Sequence, residues 1–181
     1  MQGQLDTELN VRGRAQADAV ATVLAERKPA LIVSSDLRRA AVTAQALAHR
    51  VGTGVRSDAR LRETHLGQWQ GLTHSEVEQR WPGGLHRWRT DPQWAPPGGE
   101  TKVTVAERGV AVVRELDWDV EAERPVALVA HGGLIIAVTA QLLELPVSRW
   151  WVLGGLGNTR WAELRSTADG WRLHAWNAGV P

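Results

Sequence analysis

Apolar and polar positions alternate between two periods along the chain, so short strands and helices are predicted to take turns. Met1 to Asn10 is polar and shows no strand pattern. From Val11 to Arg27, Ala15, Ala19, Val23 and Leu24 recur at helical spacing and predict an amphipathic helix. Ala30-Leu31-Ile32-Val33, following Pro29, is a β-prone run suited to a buried parallel strand. Ser34-Ser35-Asp36 then supplies capping residue types for a helix over Leu37 to Arg50. A second strand is predicted near Gly54 to Arg56, and helical pattern resumes from Val103 to Leu116. Pro125 to Ala130 is the clearest buried strand, and His131-Gly132-Gly133 turns it into an apolar helix ending near Leu145-Pro146. Thr159 to Arg165 and Trp171 to Trp176 predict a final antiparallel pair across Ala168-Asp169-Gly170. Strands alternating with helices give an α/β fold with a mostly parallel sheet.

The stretch from about residue 66 to about residue 100 has a different texture. It carries Trp69, Trp81, Trp88 and Trp94, several prolines and glycines, and one short helical pattern around Ser75 to Arg80. It reads as a Trp-rich, partly helical lid inserted into one domain spanning residues 1–181, a length that supports a single core.

Composition narrows the function. With 43% apolar and 23% charged residues, the chain has the profile of an ordinary globular domain. A net charge of +1 offers no electrostatic footprint for nucleic acid or an anionic membrane. No membrane-length apolar run or leader pattern is visible, so a cytoplasmic location is expected. The absence of cysteine excludes disulfides, thiolate metal sites and cysteine nucleophiles. Lys28 and Lys102 are the only lysines, and ten Trp occur without Phe or Tyr, a skew that GC-rich codons favour. The six histidines show no paired metal spacing, so no metal is expected.

Three segments carry candidate chemistry. Ser34 to Arg39 brings hydroxyls, a helix N-terminus and two arginines to the carboxyl end of a strand, where α/β sheets bind ligands and helix ends bind anions. His131 sits at a second strand end, and Gly132 and Gly133 would let a ligand approach the backbone. In Leu61 to Gly71, Glu63 is a carboxylate near His65, with Trp69 as a wall that would shield it and suit it to protonating a leaving alkoxide. Glu100, after Pro97-Gly98-Gly99, is a weaker candidate of the same kind. Gly154-Gly155-Leu156-Gly157-Asn158 has the wrong spacing for a dinucleotide loop, and no P-loop, nucleophile-elbow serine or metalloprotease pattern occurs.

Together these segments resemble the histidine phosphatase superfamily, the phosphoglycerate-mutase-like phosphatases. Ser34-Ser35-Asp36-Leu37-Arg38-Arg39-Ala40 with Thr43-Ala44, Leu61 to Gly71, and Val129-Ala130-His131-Gly132-Gly133 match three ordered motifs across the chain. The resemblance is closer to the actinobacterial glucosyl-3-phosphoglycerate phosphatases through Met1 to Leu9, Leu61 to Gly67, Gln70 to His74, Trp94-Ala95-Pro96 and Gly154 to Asn158. It implies a three-layer sheet flanked by helices, and hydrolysis of a small phosphorylated metabolite without metal or organic cofactor. Arg39 would clamp the phosphoryl group, Glu63 would protonate the leaving oxygen, and His131 would hydrogen-bond the phosphoryl oxygens. Gln2, His65 and Gly132 would contact substrate.

The family's nucleophilic histidine lies in an Arg-His-Gly at the end of a first, central strand. No Arg-His-Gly occurs in these 181 residues. The resemblance therefore implies an empty central sheet position, a start codon assigned too late, and a native chain longer by roughly 15–25 residues. A buried strand of about 5 residues, at roughly 1.5–3 kcal/mol per side chain, rivals the whole stability of a domain, so the 181-residue form is expected to fold poorly alone. Two alternatives accompany the phosphatase reading: a phosphoglycerate mutase, and a truncated protein that binds phosphorylated ligands or a partner without turnover. Trp150-Trp151 beside Leu153 is a candidate homodimer patch.

Overall fold

The computed structural model describes residues 1–116 and 124–180. After an irregular opening segment, helix α1 (Val11–Ala25) begins at Asn10, whose side chain accepts from the Gly13 amide. Strand β1 (Leu31–Ser34), helix α2 (Arg38–Val51) and strand β2 (Val55–Ser57) follow. Two short helices, α3 (His74–Arg80) and α4 (Gly84–Thr90), precede the longer α5 (Lys102–Glu115). Strand β3 (Val126–Val129), helix α6 (Gly132–Leu142) and strands β4 (Trp161–Thr167) and β5 (Gly170–Ala178) complete the order. The predicted elements are all present, with ends displaced by one to a few residues. Helix α4 was not predicted: it opens with glycine after Pro82-Gly83, a sequence with poor local helix preference.

The first three strands form a parallel ladder in the order β2-β1-β3, with Ile32 opposite Val55 and Ala127, and Ser34 opposite Ser57 and Val129. Alternation along these strands builds the layers. Ile32, Ala127 and Val129 pack with Ala21, Ala44, Leu47 and Ala48 of α1 and α2. Val33, Val126 and Leu128 face the opposite way, toward Val105, Val110, Leu134 and Val138 of α5 and α6. Helices α5 and α6 meet at Gly109, where a Cβ would come 2.4 Å from Val138 Cγ2. The result is a three-layer α/β arrangement.

The sheet is divided. Strands β4 and β5 form their own antiparallel ladder, and among the described residues no strand pairs with the second edge of β3. An apolar cavity of about 210 Å³ lies there, lined by Leu128 and Ala130 on one side and Ala162, Leu164 and Trp171 on the other.

The Trp-rich segment makes a separate small core. Trp69 is fully buried at its centre, with Trp94, Trp81 and Trp88 rings 5.6, 6.2 and 6.2 Å away and Leu66, Val77 and Leu85 around them. Trp150 belongs to the main core, whereas Trp151 is 62% exposed. Among the described residues, no helix is long and apolar enough to cross a membrane.

Candidate active site

At the end of β1 the chain turns through Ser35 and Leu37 into α2. Both serines are buried: Ser34 Oγ donates to the Ser35 carbonyl at 2.8 Å, and Ser35 Oγ accepts from the Leu37 amide at 3.3 Å. The cap itself differs from the prediction. Leu37 occupies the N-cap position, and the Arg38 amide donates instead to Asp6 Oδ1 at 2.7 Å, from 32 residues upstream. Asp36 is engaged elsewhere, in a two-point pair with Arg62 at 2.7 and 2.5 Å that holds its carboxyl below the usual range. In the first turn of the helix, Arg39 donates to the carbonyls of Leu5 and Gly3, each at 2.7 Å. Burial lowers its proton affinity while Glu63 and Asp6 act in the opposite sense, and a guanidinium remains charged.

At the end of β3, His131 takes the N-cap position of α6 with 8% of its surface exposed. Its Nε2 shares a 2.9 Å hydrogen bond with Ser35 Oγ, joining the two strand ends. Burial, reinforced by the charges of Arg39 and Arg108, pushes the imidazole down to about 3, against a smaller opposing pull from Asp36. The ring is therefore neutral at pH 7. Gly133 is packed against Glu63: its amide donates to Oε2 at 3.1 Å, and a Cβ there would lie 2.5 Å from Oε1. A Cβ at Gly132 would meet nothing within 4 Å, which leaves the first turn of α6 open to the cavity.

Glu63 lies in a stretch without regular structure, residues 63–66. Its Oε1 accepts from the Thr64 amide at 2.8 Å, so backbone amides of Thr64 and Gly133 hold both carboxylate oxygens. Trp69, expected as its wall, is instead enclosed by the other tryptophans.

A cavity of about 940 Å³ gathers these groups. Arg39, Glu63, His131, Gln2 and Gly132 all line it. His65 is not among the lining residues: its Nδ1 accepts from the Gly67 amide at 3.3 Å, and its own amide donates to Glu100. His74 and Trp88 line the cavity as well; both lie in segments the sequence singled out, but neither was named as a site residue. The Gly154 to Asn158 run, which also reaches the cavity, leads into strand β4 instead of a helix and so lacks the architecture of a dinucleotide loop. Among the described residues no group of three or more His, Asp or Glu is placed to hold a metal. A cation, a fixed carboxyl group, a neutral imidazole and a helix N-terminus around one cavity can bind a phosphate monoester and, when the carboxyl is protonated, pass a proton to its bridging oxygen.

The profile of the histidine phosphatase superfamily (branch 1) matches residues 1–179. The chain belongs to this superfamily. Among its relatives, glucosyl-3-phosphoglycerate phosphatase of Mycolicibacterium vanbaalenii is 56% identical over 197 residues, covering 99% of this chain and 88% of that one. Glucosyl-3-phosphoglycerate phosphatase of Mycobacterium tuberculosis is 54% identical over 195 residues, covering 99% and 87%. A solved structure of mycobacterial glucosyl-3-phosphoglycerate phosphatase with VO3 superposes with a TM-score of 0.95 at 56% identity, over 99% of this chain and 90% of that chain. Membership accounts for the layered parallel sheet and for the order of the three motifs.

Proposed function

We propose that this protein is a phosphoric monoester hydrolase acting on glucosyl-3-phosphoglycerate. The observation that carries this reading is the convergence of Arg39, Glu63 and His131 on one cavity, in a chain 54–56% identical to phosphatases of that substrate. The Arg39 guanidinium holds two phosphoryl oxygens and neutralises charge that grows on them in the transition state. His131, neutral and tied to Ser35, hydrogen-bonds a third. As the bond from phosphorus to the organic oxygen breaks, the carboxyl proton of Glu63 passes to that oxygen. The resulting carboxylate then takes a proton from the hydrolytic water, which restores the acid. Gln2 and Gly132 contact the substrate from the exposed lip of the cavity and the open turn of α6. The bond to phosphorus is formed, as the ester bond breaks, by a nucleophile that none of these side chains supplies, the histidine of the superfamily's Arg-His-Gly motif, and the water then takes the phosphoryl group from that phosphohistidine.

The test is an assay of the native protein with glucosyl-3-phosphoglycerate and with 3-phosphoglycerate, following phosphate and isomers together. The expected result is phosphate release from the first, unchanged by a chelator. Isomerisation of 3-phosphoglycerate without phosphate release would replace this reading by a mutase. Saturable binding of the phosphate ester with no turnover would replace it by a binding protein.

A further inference from the structure

Glu63 must present its carboxyl from a segment whose backbone has no helix or strand to hold it. Three side chains from outside that segment do so: Gln4, whose Nε2 donates to the Glu63 carbonyl at 3.0 Å, and the paired Arg108 and Glu100. Arg108, on α5, donates from Nη1 to the carbonyls of Arg60 and Arg62, both at 2.7 Å. Its Nη2 donates to the Glu63 carbonyl and to Glu100 Oε2, both at 3.0 Å, and its Nε donates to Glu100 Oε1 at 2.9 Å. Glu100 completes the bridge, because its Oε2 also accepts from the His65 amide at 2.8 Å and its own amide donates to the His65 carbonyl at 2.8 Å. The peptide groups before and after Glu63 are thus pinned by one ion pair.

The packing leaves little freedom to this arrangement. The Gly98-Gly99-Glu100 strap lies directly on the His65–Gly67 backbone: a Cβ at Gly99 would sit 2.6 Å from the His65 carbonyl oxygen, and one at Gly67 would sit 2.1 Å from that of Pro97. Arg108 and Glu100 are 17% and 22% exposed, so their pair is shielded from much of the screening that weakens surface pairs. Burial opposes the charge of Glu100, yet the bonds from Arg108 and from the His65 amide hold its carboxyl below the usual range. Lysine could not substitute for the arginine, since one ammonium lacks the planar fork that reaches three carbonyls and both carboxylate oxygens.

We infer that Arg108 and Glu100 are positioning residues for Glu63: the pair fixes the backbone on both sides of it and so aims its carboxyl at the leaving oxygen. This rests on the phosphatase reading for its consequence in catalysis. A general acid matters in proportion to how poorly the leaving group departs, whereas a pair that merely stabilised the fold would affect every substrate alike.

The experiment compares Arg108→Lys and Glu100→Gln with the parent protein on two esters, glucosyl-3-phosphoglycerate and p-nitrophenyl phosphate. The nitrophenolate departs without a proton. The quantity is kcat/KM, which reports only the steps up to departure of the leaving group. Each variant is expected to lose roughly 10–100-fold on the alkyl ester and less than about threefold on the aryl ester, the pattern expected of Glu63→Gln in larger degree. In the double variant Glu63→Gln/Arg108→Lys, little is expected beyond Glu63→Gln alone, because a missing acid cannot be aimed. Equal losses on both esters, or additive losses in the double variant, would overturn the inference.

A second measurement needs no turnover. The amides of Thr64 and Gly133 both donate to the Glu63 carboxylate, so their proton resonances in the parent and in the milder Glu100→Gln variant report its position. Both are expected to move, and unmoved resonances would overturn the inference. If the parent protein releases phosphate from neither ester, the phosphatase reading fails, and these resonances still decide whether the pair positions Glu63.

Discussion

The ends of β1 and β3 both lead into a helix beside the same cavity, yet they rest on opposite electrostatics. At the end of β1 the groups are charged and partly open: Asp36 pairs with Arg62, Asp6 caps α2 from a distance, and Arg39 holds two carbonyls of the opening segment. At the end of β3 they are neutral and enclosed: His131 is kept uncharged by burial, and glycine brings the backbone of α6 against Glu63. The difference follows from solvent. Charge can be kept where water and flexible partners screen it, while a buried group is held in its neutral form or supplied with fixed amides. A phosphate monoester needs both ends, since one supplies charge and the other supplies oriented donors that cost no reorganisation.

The largest effect expected from breaking this division is at Arg39. Arg39→Ala removes the guanidinium fork at the end of β1 and also releases the carbonyls of Gly3 and Leu5. Turnover should fall roughly 10²–10³-fold, with a parallel weakening of inorganic phosphate binding read by calorimetry. Arg39→Lys should recover only a minor part, because a point charge cannot reproduce the two-point contact. Phosphate affinity unchanged in Arg39→Ala would mean that the end of β1 is not the anion-binding end.

The neighbouring glycines of α6 give a sharper test of the other end. At Gly133 a methyl group would collide with Glu63 Oε1 and displace the carboxylate from its amide. Losing a hydrogen bond to a charged group costs about 1.5–3 kcal/mol, so Gly133→Ala should slow turnover of an alkyl ester by tens of fold. Gly132→Ala meets no protein atom but crowds the substrate that Gly132 contacts, so it should raise KM while leaving kcat within about threefold. Similar losses in both variants would show that backbone approach, not the Glu63 contact, governs this end.

What the sequence revealed and what it concealed divide along a similar line. The alternation of Ile32 and Val33, the apolar run before His131 and the spacing of Arg39, Glu63 and His131 are properties of residue types; the strands form as expected, and the three side chains line one cavity. The cap on α2 was misassigned because Ser34-Ser35-Asp36 has the right residue types, while the acceptor is Asp6, brought in by the fold. Arg108 went unnoticed because its acceptors are three backbone carbonyls and the carboxylate of Glu100, and a carbonyl has no signature in sequence. Trp69 and His65 were placed near Glu63 by proximity along the chain, but the turn over Gly67–Trp69 carries Trp69 into its own core and leaves His65 outside the cavity lining.

The neutrality of His131 sets a pH dependence that the end of β1 should not share. Its folded-state pKa is lowered from 6.5 to about 3. Between those values the unfolded chain binds a proton that the folded chain does not, so stability is complete above about pH 6.5 and declines as the pH falls. At pH 5 the loss amounts to about 2 kcal/mol, or roughly 4–8 °C in melting temperature for a chain of this size. The Asp36 carboxyl, lowered by Arg62, adds its own loss only at more acid pH. Thermal melts of the parent protein and of His131→Gln from pH 7 to pH 5 should separate the two: the variant's curve should be flatter by that amount. Parallel curves would show that the imidazole is not kept neutral.

The smallest effect lies in the cap of α2. Asp6 accepts from the Arg38 amide at 2.7 Å and also pairs with the Arg38 guanidinium at 3.3 Å, close to solvent. Capping bonds of this kind are worth about 1 kcal/mol, and an exposed pair adds little, so Asp6→Ala should lower the melting temperature by roughly 2–4 °C. Asp6→Asn keeps the acceptor and should lose less. If Asp6→Ala also weakens phosphate binding, the segment from Gly3 to Asp6 is held jointly by Asp6 and Arg39, and the charged end works as one unit. If binding is unchanged, the two contacts of Arg39 suffice to seat that segment, and the cap serves the helix alone.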